Sequence, residues 1–114
     1  MQITPFMQFA TLPVANGSLD RALAIYKPFA QFVEQTVPGC LEFALYNTMN
    51  NMTGAVDIII AEHYVDAATH DNFTASDAYQ QMLQQTDQQG VLRGAPVLTV
   101  VNMVGGFTDR SPRK

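Results

Sequence analysis

His70 and His63 are the side chains of this sequence whose ordinary pKa, near 6.5, suits proton transfer at neutral pH. His70 has Asp71 beside it and Asp66 one helical turn before it. It reads either as a general base or as a helix-surface histidine paired with one of those aspartates. His63 follows the apolar run Ile58-Ile59-Ile60. Side chains alternate along a strand, so it faces either a pocket or the space between two packed sheets. Tyr64, Phe73 and Tyr79 are spaced to build an aromatic core or to hold a flat substrate. Gln8, Asn47 and Asn102 are amides within or at the ends of strand-like segments, where a buried polar group needs a partner. Facing a pocket, such an amide can steady a substrate oxygen or a developing enolate. Gln8 is the best placed, in mid-strand on the parity of Phe6, Ala10 and Leu12, whereas Asn47 belongs to a hairpin. Glu62 lies in the strand-like stretch just after Ile58-Ile59-Ile60, with acid catalysis left open. Met7, Met49, Met52, Met82 and Met103 offer an adaptable apolar lining or ordinary core filling.

Other chemistries have no pattern here. Cys40 is the single cysteine, which excludes an intramolecular disulfide and a cysteine-built zinc site. There is no two-histidine-one-carboxylate spacing, no Gly-rich phosphate loop and no nucleophile elbow. The expectation is a site without metal, nucleotide or flavin, so without a cofactor.

These residues are carried by a recognisable run of elements. Residues 3–14 read as a strand, and Asn16-Gly17-Ser18 as a turn in which Ser18 can cap a helix. From Leu19 to Val37 the apolar positions fall on one helical face; Pro28 lies inside it, which predicts a kink or two helical pieces. Pro38-Gly39 stops that helix, residues 40–48 form a second strand, and the polar stretch 47–54 turns the chain. Residues 55–65 form a third strand, apolar enough at its centre to be covered on both faces. Asp66 opens a helical stretch over 67–85, weakly interrupted around Thr74-Ala75-Ser76, and residues 95–107 form the last strand.

Strand, helix, hairpin, helix, strand is the order of a ferredoxin-like α+β fold: β-α-β-β-α-β, a four-stranded antiparallel sheet with two helices on one face. The other face also needs cover. With 47% apolar and only 14% charged residues, a second copy of the chain is the simplest cover, so a homodimer is expected. Residues 1–109 read as one domain and 110–114 as a basic tail. Three of the six basic residues lie in that tail, so the body carries three basic against ten acidic residues, a balance of −7. Such a body lacks the basic stripe that nucleic acid requires. No apolar run approaches the roughly 20 residues that cross a bilayer, and no basic stretch precedes an apolar one at the N-terminus. The expected location is cytoplasmic, away from membranes.

Several stretches together resemble one family. Pro38-Gly39-Cys40-Leu41-Glu42-Phe43 is similar to the entry to the second strand in the antibiotic biosynthesis monooxygenases. Glu62-x-Tyr64-x-Asp66 with Ala67-Ala68, then Ala75-Ser76-Asp77-Ala78-Tyr79, resembles their third strand and second helix; Gly94-x-Pro96-Val97 through Gly106-Phe107 resembles their final strand. The resemblance implies a dimeric α+β barrel with a pocket between sheet and helices. It implies cofactor-independent oxygenation of a small aromatic, polyketide-type substrate to a quinone or hydroxylated product. The alternatives are non-oxidative cyclase, isomerase or dehydratase chemistry of the same barrel group, or a ligand binder without chemistry. Where the family often has a histidine, three residues before Ser76, this chain has Phe73; His70 lies one turn earlier, able to share a face with it. Leu83 stands where haem-degrading members place an iron-ligand histidine, and the chain has no tryptophan, which disfavours haem degradation. On this reading His70 is catalytic, and Gln8, His63, Tyr64, Phe73, Tyr79 and Asn102 contact substrate.

Overall fold

A computed structural model describes residues 5–107, so the basic tail expected at 110–114 lies outside the described residues. The chain runs β1 (Phe6–Pro13), α1 (Leu19–Thr36), β2 (Cys40–Met49), β3 (Val56–Tyr64), α2 (Ala67–Thr74), α3 (Asp77–Gln89) and β4 (Val97–Val101). The strands form one sheet in the order β2-β3-β1-β4, every neighbouring pair antiparallel. This is the expected ferredoxin-like arrangement, with three helices where two were expected.

The extra helix comes from the interruption at Thr74-Ala75-Ser76. Ser76 takes extended backbone angles and its hydroxyl accepts from the Tyr79 amide, so a new helix starts there. Asp66 caps α2 in the same manner, accepting from the Thr69 amide at 2.8 Å and the Thr69 hydroxyl at 2.7 Å. Gly90 ends α3 with φ +59, a left-handed conformation that glycine adopts without a Cβ penalty. Gly39 is needed for another reason: a Cβ there would stand 2.7 Å from Thr69 Cγ2, where β2 enters beneath α2.

Four expectations need correction. α1 runs unbroken through Pro28, because the proline sits on the solvent face while Ala22, Ile25, Tyr26, Phe29 and Val33 bury the other face along the whole helix. Ser18 begins α1 without a side-chain cap; its hydroxyl instead accepts from Arg21 Nη2 at 2.7 Å. β4 is far shorter than the stretch 95–107, and β2 extends to Met49, which puts Asn47 inside the strand opposite Ile58.

The register decides which face each residue occupies. Ala10, Leu12, Ile58 and Ile60 point toward α1 and form one core cluster with Ala22, Ile25, Tyr26 and Val91. Phe29, Val33, Tyr64 and Phe73 form a second cluster under the C-terminal half of α1. The opposite sheet face carries Phe9, Tyr46, Ile59, Ala61, His63 and Val97, and no helix covers it. Phe9, Tyr46 and Val97 are 40%, 56% and 58% exposed there. Among the described residues no helix is long and apolar enough to cross a membrane.

Candidate active site

Between the sheet and α3 lies a cavity of about 60 Å³. Its floor is Ala10, Ile60 and Leu98, and Met82 and Leu83 of α3 wall it. Tyr26 and Thr86 close one side. Thr86 gives its single proton to the Met82 carbonyl (3.0 Å), so the Tyr26 hydroxyl donates to Thr86 Oγ1 (2.9 Å) and ties α1 to α3. Glu62 and Tyr79 supply the other polar groups of the lining. β4 is one of the two edge strands of the sheet, and Leu98 and Val100, on its helix-side face, are each 57% exposed.

Glu62 occupies the core parity of β3, two residues from Ile60 and two from Tyr64, and is 6% exposed. Its Oε1 accepts from the Tyr64 hydroxyl at 2.6 Å and from Gln8 Nε2, on the paired strand, at 3.3 Å. A carboxylate this deep persists only with such donors. Burial pushes the Glu62 carboxyl above its usual range, while the two donors and the nearby His70 pull it back. Burial and then the Glu62 charge raise Tyr64 and Tyr79, so both remain protonated donors at neutral pH. Burial pushes the Cys40 thiol up to about 11, which removes it as a neutral-pH nucleophile.

Protonation of Glu62 is linked to stability. A folded-state pKa above the unfolded one means the native chain holds the proton longer, so stability falls as pH rises from the ordinary carboxylate range through the raised value. Glu62→Gln has no such titration. The melting temperature of Glu62→Gln relative to the parent is therefore expected to rise as pH is raised above the ordinary carboxylate range, as followed by circular dichroism.

Of the residues singled out in the sequence, Gln8, Tyr64 and His70 come together around Glu62. The His70 ring stacks on Phe6 at 4.4 Å and meets Tyr64 edge-on at 5.2 Å. Its Nδ1 lies 3.1 Å from the exposed Asp71 carboxylate, and its Nε2 is buried without a hydrogen-bond partner. His70 does not line the cavity. Phe73 is buried 5.7 Å from Phe29 and 5.3 Å from Tyr79, so it holds Tyr79 in place rather than reaching the cavity itself. His63 sits on the opposite sheet face, between Met7 and Glu42 in register, with its Nε2 also buried and unpartnered. Asn102 is exposed just past β4 and is not brought to the others. Tyr26, Thr86 and Leu98 were not recognised as lining from the sequence. A visible signal did exist for Glu62: a charged residue on the parity of Ile58 and Ile60 in a strand paired on both sides.

Larger depressions exist on the surface. The one beside Arg93, of about 450 Å³, has its only cation already engaged: the guanidinium donates to the Val14 and Val56 carbonyls and to Asp57, each at 2.7 Å. Another, of about 500 Å³, lies between Phe32 and Asn72, where the Ser76 hydroxyl donates to the Phe73 carbonyl. Among the described residues no cluster of His, Cys, Asp and Glu is arranged to hold a metal ion.

The family model of the antibiotic biosynthesis monooxygenases matches residues 5–85. The chain belongs to this family. The match covers β1 through most of α3, so it includes Gln8, Glu62, Tyr64, His70 and Tyr79. Solved structures with the same fold include a Caulobacter crescentus CB15 protein assigned as an antibiotic biosynthesis monooxygenase. It has a TM-score of 0.75 and 20% identity over 90% of this chain and 92% of that one. Rv0793 from Mycobacterium tuberculosis has a TM-score of 0.74 and 16% identity over 92% of this chain and 100% of its own. At such identities the likeness is one of fold. No curated protein matches the sequence. Phe73, the residue three before Ser76, packs in the aromatic cluster beneath α1.

Proposed function

We propose that this family member is a cofactor-independent monooxygenase acting on a small electron-rich aromatic of polyketide type, such as an anthrone or phenol. The observation that carries the reading is an apolar cavity, between sheet and α3, with one carboxyl at its end. Desolvation there raises the driving force for removing a proton from an acidic C–H or O–H next to an aromatic ring. The resulting carbanion or phenolate is electron-rich enough to add oxygen directly. For a ring methylene, one O₂ gives the ketone and one water, the four electrons coming from the carbon itself. Tyr79 and Met82 contact the substrate on this reading, with Gln8 and Tyr64 steadying the buried charge. About 60 Å³ accommodates little more than two waters, so the substrate enters as Met82 and Leu83 re-pack at the β4 side. Leu83 is already 38% exposed there.

The working unit in this proposal is a homodimer packed through the open sheet face. The exposed apolar residues of that face, together with the unpartnered His63 Nε2, support it. With anthrone under air, oxygen consumption is expected to match substrate loss one to one and to fall to the uncatalysed rate without oxygen. Undiminished conversion in strictly anaerobic solution would replace this reading by the cyclase, isomerase or dehydratase class.

A further inference from the structure

We propose that Glu62 is the acid–base residue of the cavity, an assignment that rests on the function proposed above and specifies which group exchanges the substrate proton. Among the described residues Glu62 is the only carboxyl in the cavity lining. Both of its hydrogen bonds end on Oε1, and Oε2 accepts none from the described residues. One oxygen is thus anchored by Tyr64 and Gln8, and the other is free to take a proton. The other ionisable groups of the lining, Tyr26 and Tyr79, are held in their protonated forms by burial. They donate and cannot serve as bases.

His70 has the right ordinary pKa but the wrong place. It stands outside the lining, between Phe6 and the edge of Tyr64, with one nitrogen toward Asp71 at the surface. It acts through Glu62 by favouring the carboxylate form, and is a positioning residue. The titratable groups facing Glu62 are Tyr64 on its own strand, Cys40 of β2, His70 of α2 and Tyr79 of α3, with Tyr26 of α1 beyond Tyr79; the lining from β1 and β4 adds none.

In the forward step the C–H bond of the substrate breaks, its electron pair stays on carbon, and the proton moves to Glu62 Oε2. Oxygen then adds to the carbanion. Glu62 returns the proton as the peroxide loses water and becomes the ketone, which leaves the carboxylate ready again. The first step needs no oxygen and is measured alone as exchange of the anthrone methylene protons with deuterium in anaerobic D₂O.

Wild-type chain is expected to catalyse this exchange, and Glu62→Gln to lose about 10²–10⁴-fold in its rate while keeping its fold and anthrone affinity. His70→Ala is expected to lose less than about tenfold, the acid limb of its exchange rate moving to higher pH because the electrostatic influence of His70, which favours the Glu62 carboxylate, is removed. Tyr64→Phe moves that limb in the same direction by removing a donor to Oε1, whereas a merely structural defect would depress the rate equally at every pH. Exchange within tenfold of wild type in folded Glu62→Gln, or a larger loss in His70→Ala, overturns the assignment while leaving the oxygenase reading intact. Exchange that depends on Glu62 without oxygen consumption keeps the assignment and overturns the oxygenase reading. Neither exchange nor oxygen consumption in the wild type overturns both.

Discussion

A carboxylate placed at the centre of the open sheet face, as Ala61→Glu, is expected to turn the proposed homodimer into monomers. Ala61 lies between Phe9 of β1 and Ala44 of β2 in the ladder, on the face away from the helices. Ala61 is 7% exposed in the single chain, so in a monomer the longer Glu side chain would have to extend past the exposed Phe9 and Tyr46 to reach water. In a two-fold dimer packed through this face, two copies of the charge would be enclosed near each other without a cation. Each buried unpaired charge costs several kcal/mol, and the symmetry doubles the cost. At about 1.4 kcal/mol per tenfold, a weakening of the dimer by at least about 10³ follows. Light scattering behind size exclusion, at matched concentrations, reads the result directly. A wild type that is monomeric, or a variant that stays dimeric, would reject this face as the interface.

Ile58→Ala is expected to cost about 2–5 kcal/mol, a large part of the roughly 5–15 kcal/mol that holds a domain of this size folded. Ile58 is 0% exposed, sits in a strand paired on both sides, and packs in the cluster built around Tyr26 and Val91. The lost methyl groups leave a cavity that two strand neighbours cannot fill. Ile59, one residue away, points to the open face and is only half-buried. Its replacement by alanine is expected to cost clearly less in a monomeric background such as Ala61→Glu. Urea unfolding followed by circular dichroism separates the two through their midpoints, with slopes held constant. Equal losses at the two positions would contradict the register that assigns them to different faces.

How far the sequence could be read is shown by the same residues. Periods of 2 and 3.6 are local properties, so the order of strands and helices was legible before any contact was known. So were the stop at Pro38-Gly39, the helix start at Asp66 and the interruption around Thr74-Ala75-Ser76, because each depends on a few consecutive residues. The family likeness followed from short motifs in the right order. The two-piece reading at Pro28 failed because a proline is judged by its own lost hydrogen bond, whereas packing on the far side of α1 carried the helix through it.

The site was less legible. In the sequence His70 was a candidate base weighed against a surface histidine, and a catalytic role for Glu62 stayed open. The β1–β3 register brings Gln8 opposite Glu62, 54 residues along the chain, and α3 shuts the cavity over it. Parity already placed His63 opposite to Glu62, but it could not say which side the helices would cover. The sequence by itself determined the elements, their order and the residue types available for chemistry, because these follow from local preference and pattern. Only the tertiary structure decided that Glu62 looks into the cavity while His70 stands behind Tyr64, because burial and desolvation are set by long-range packing.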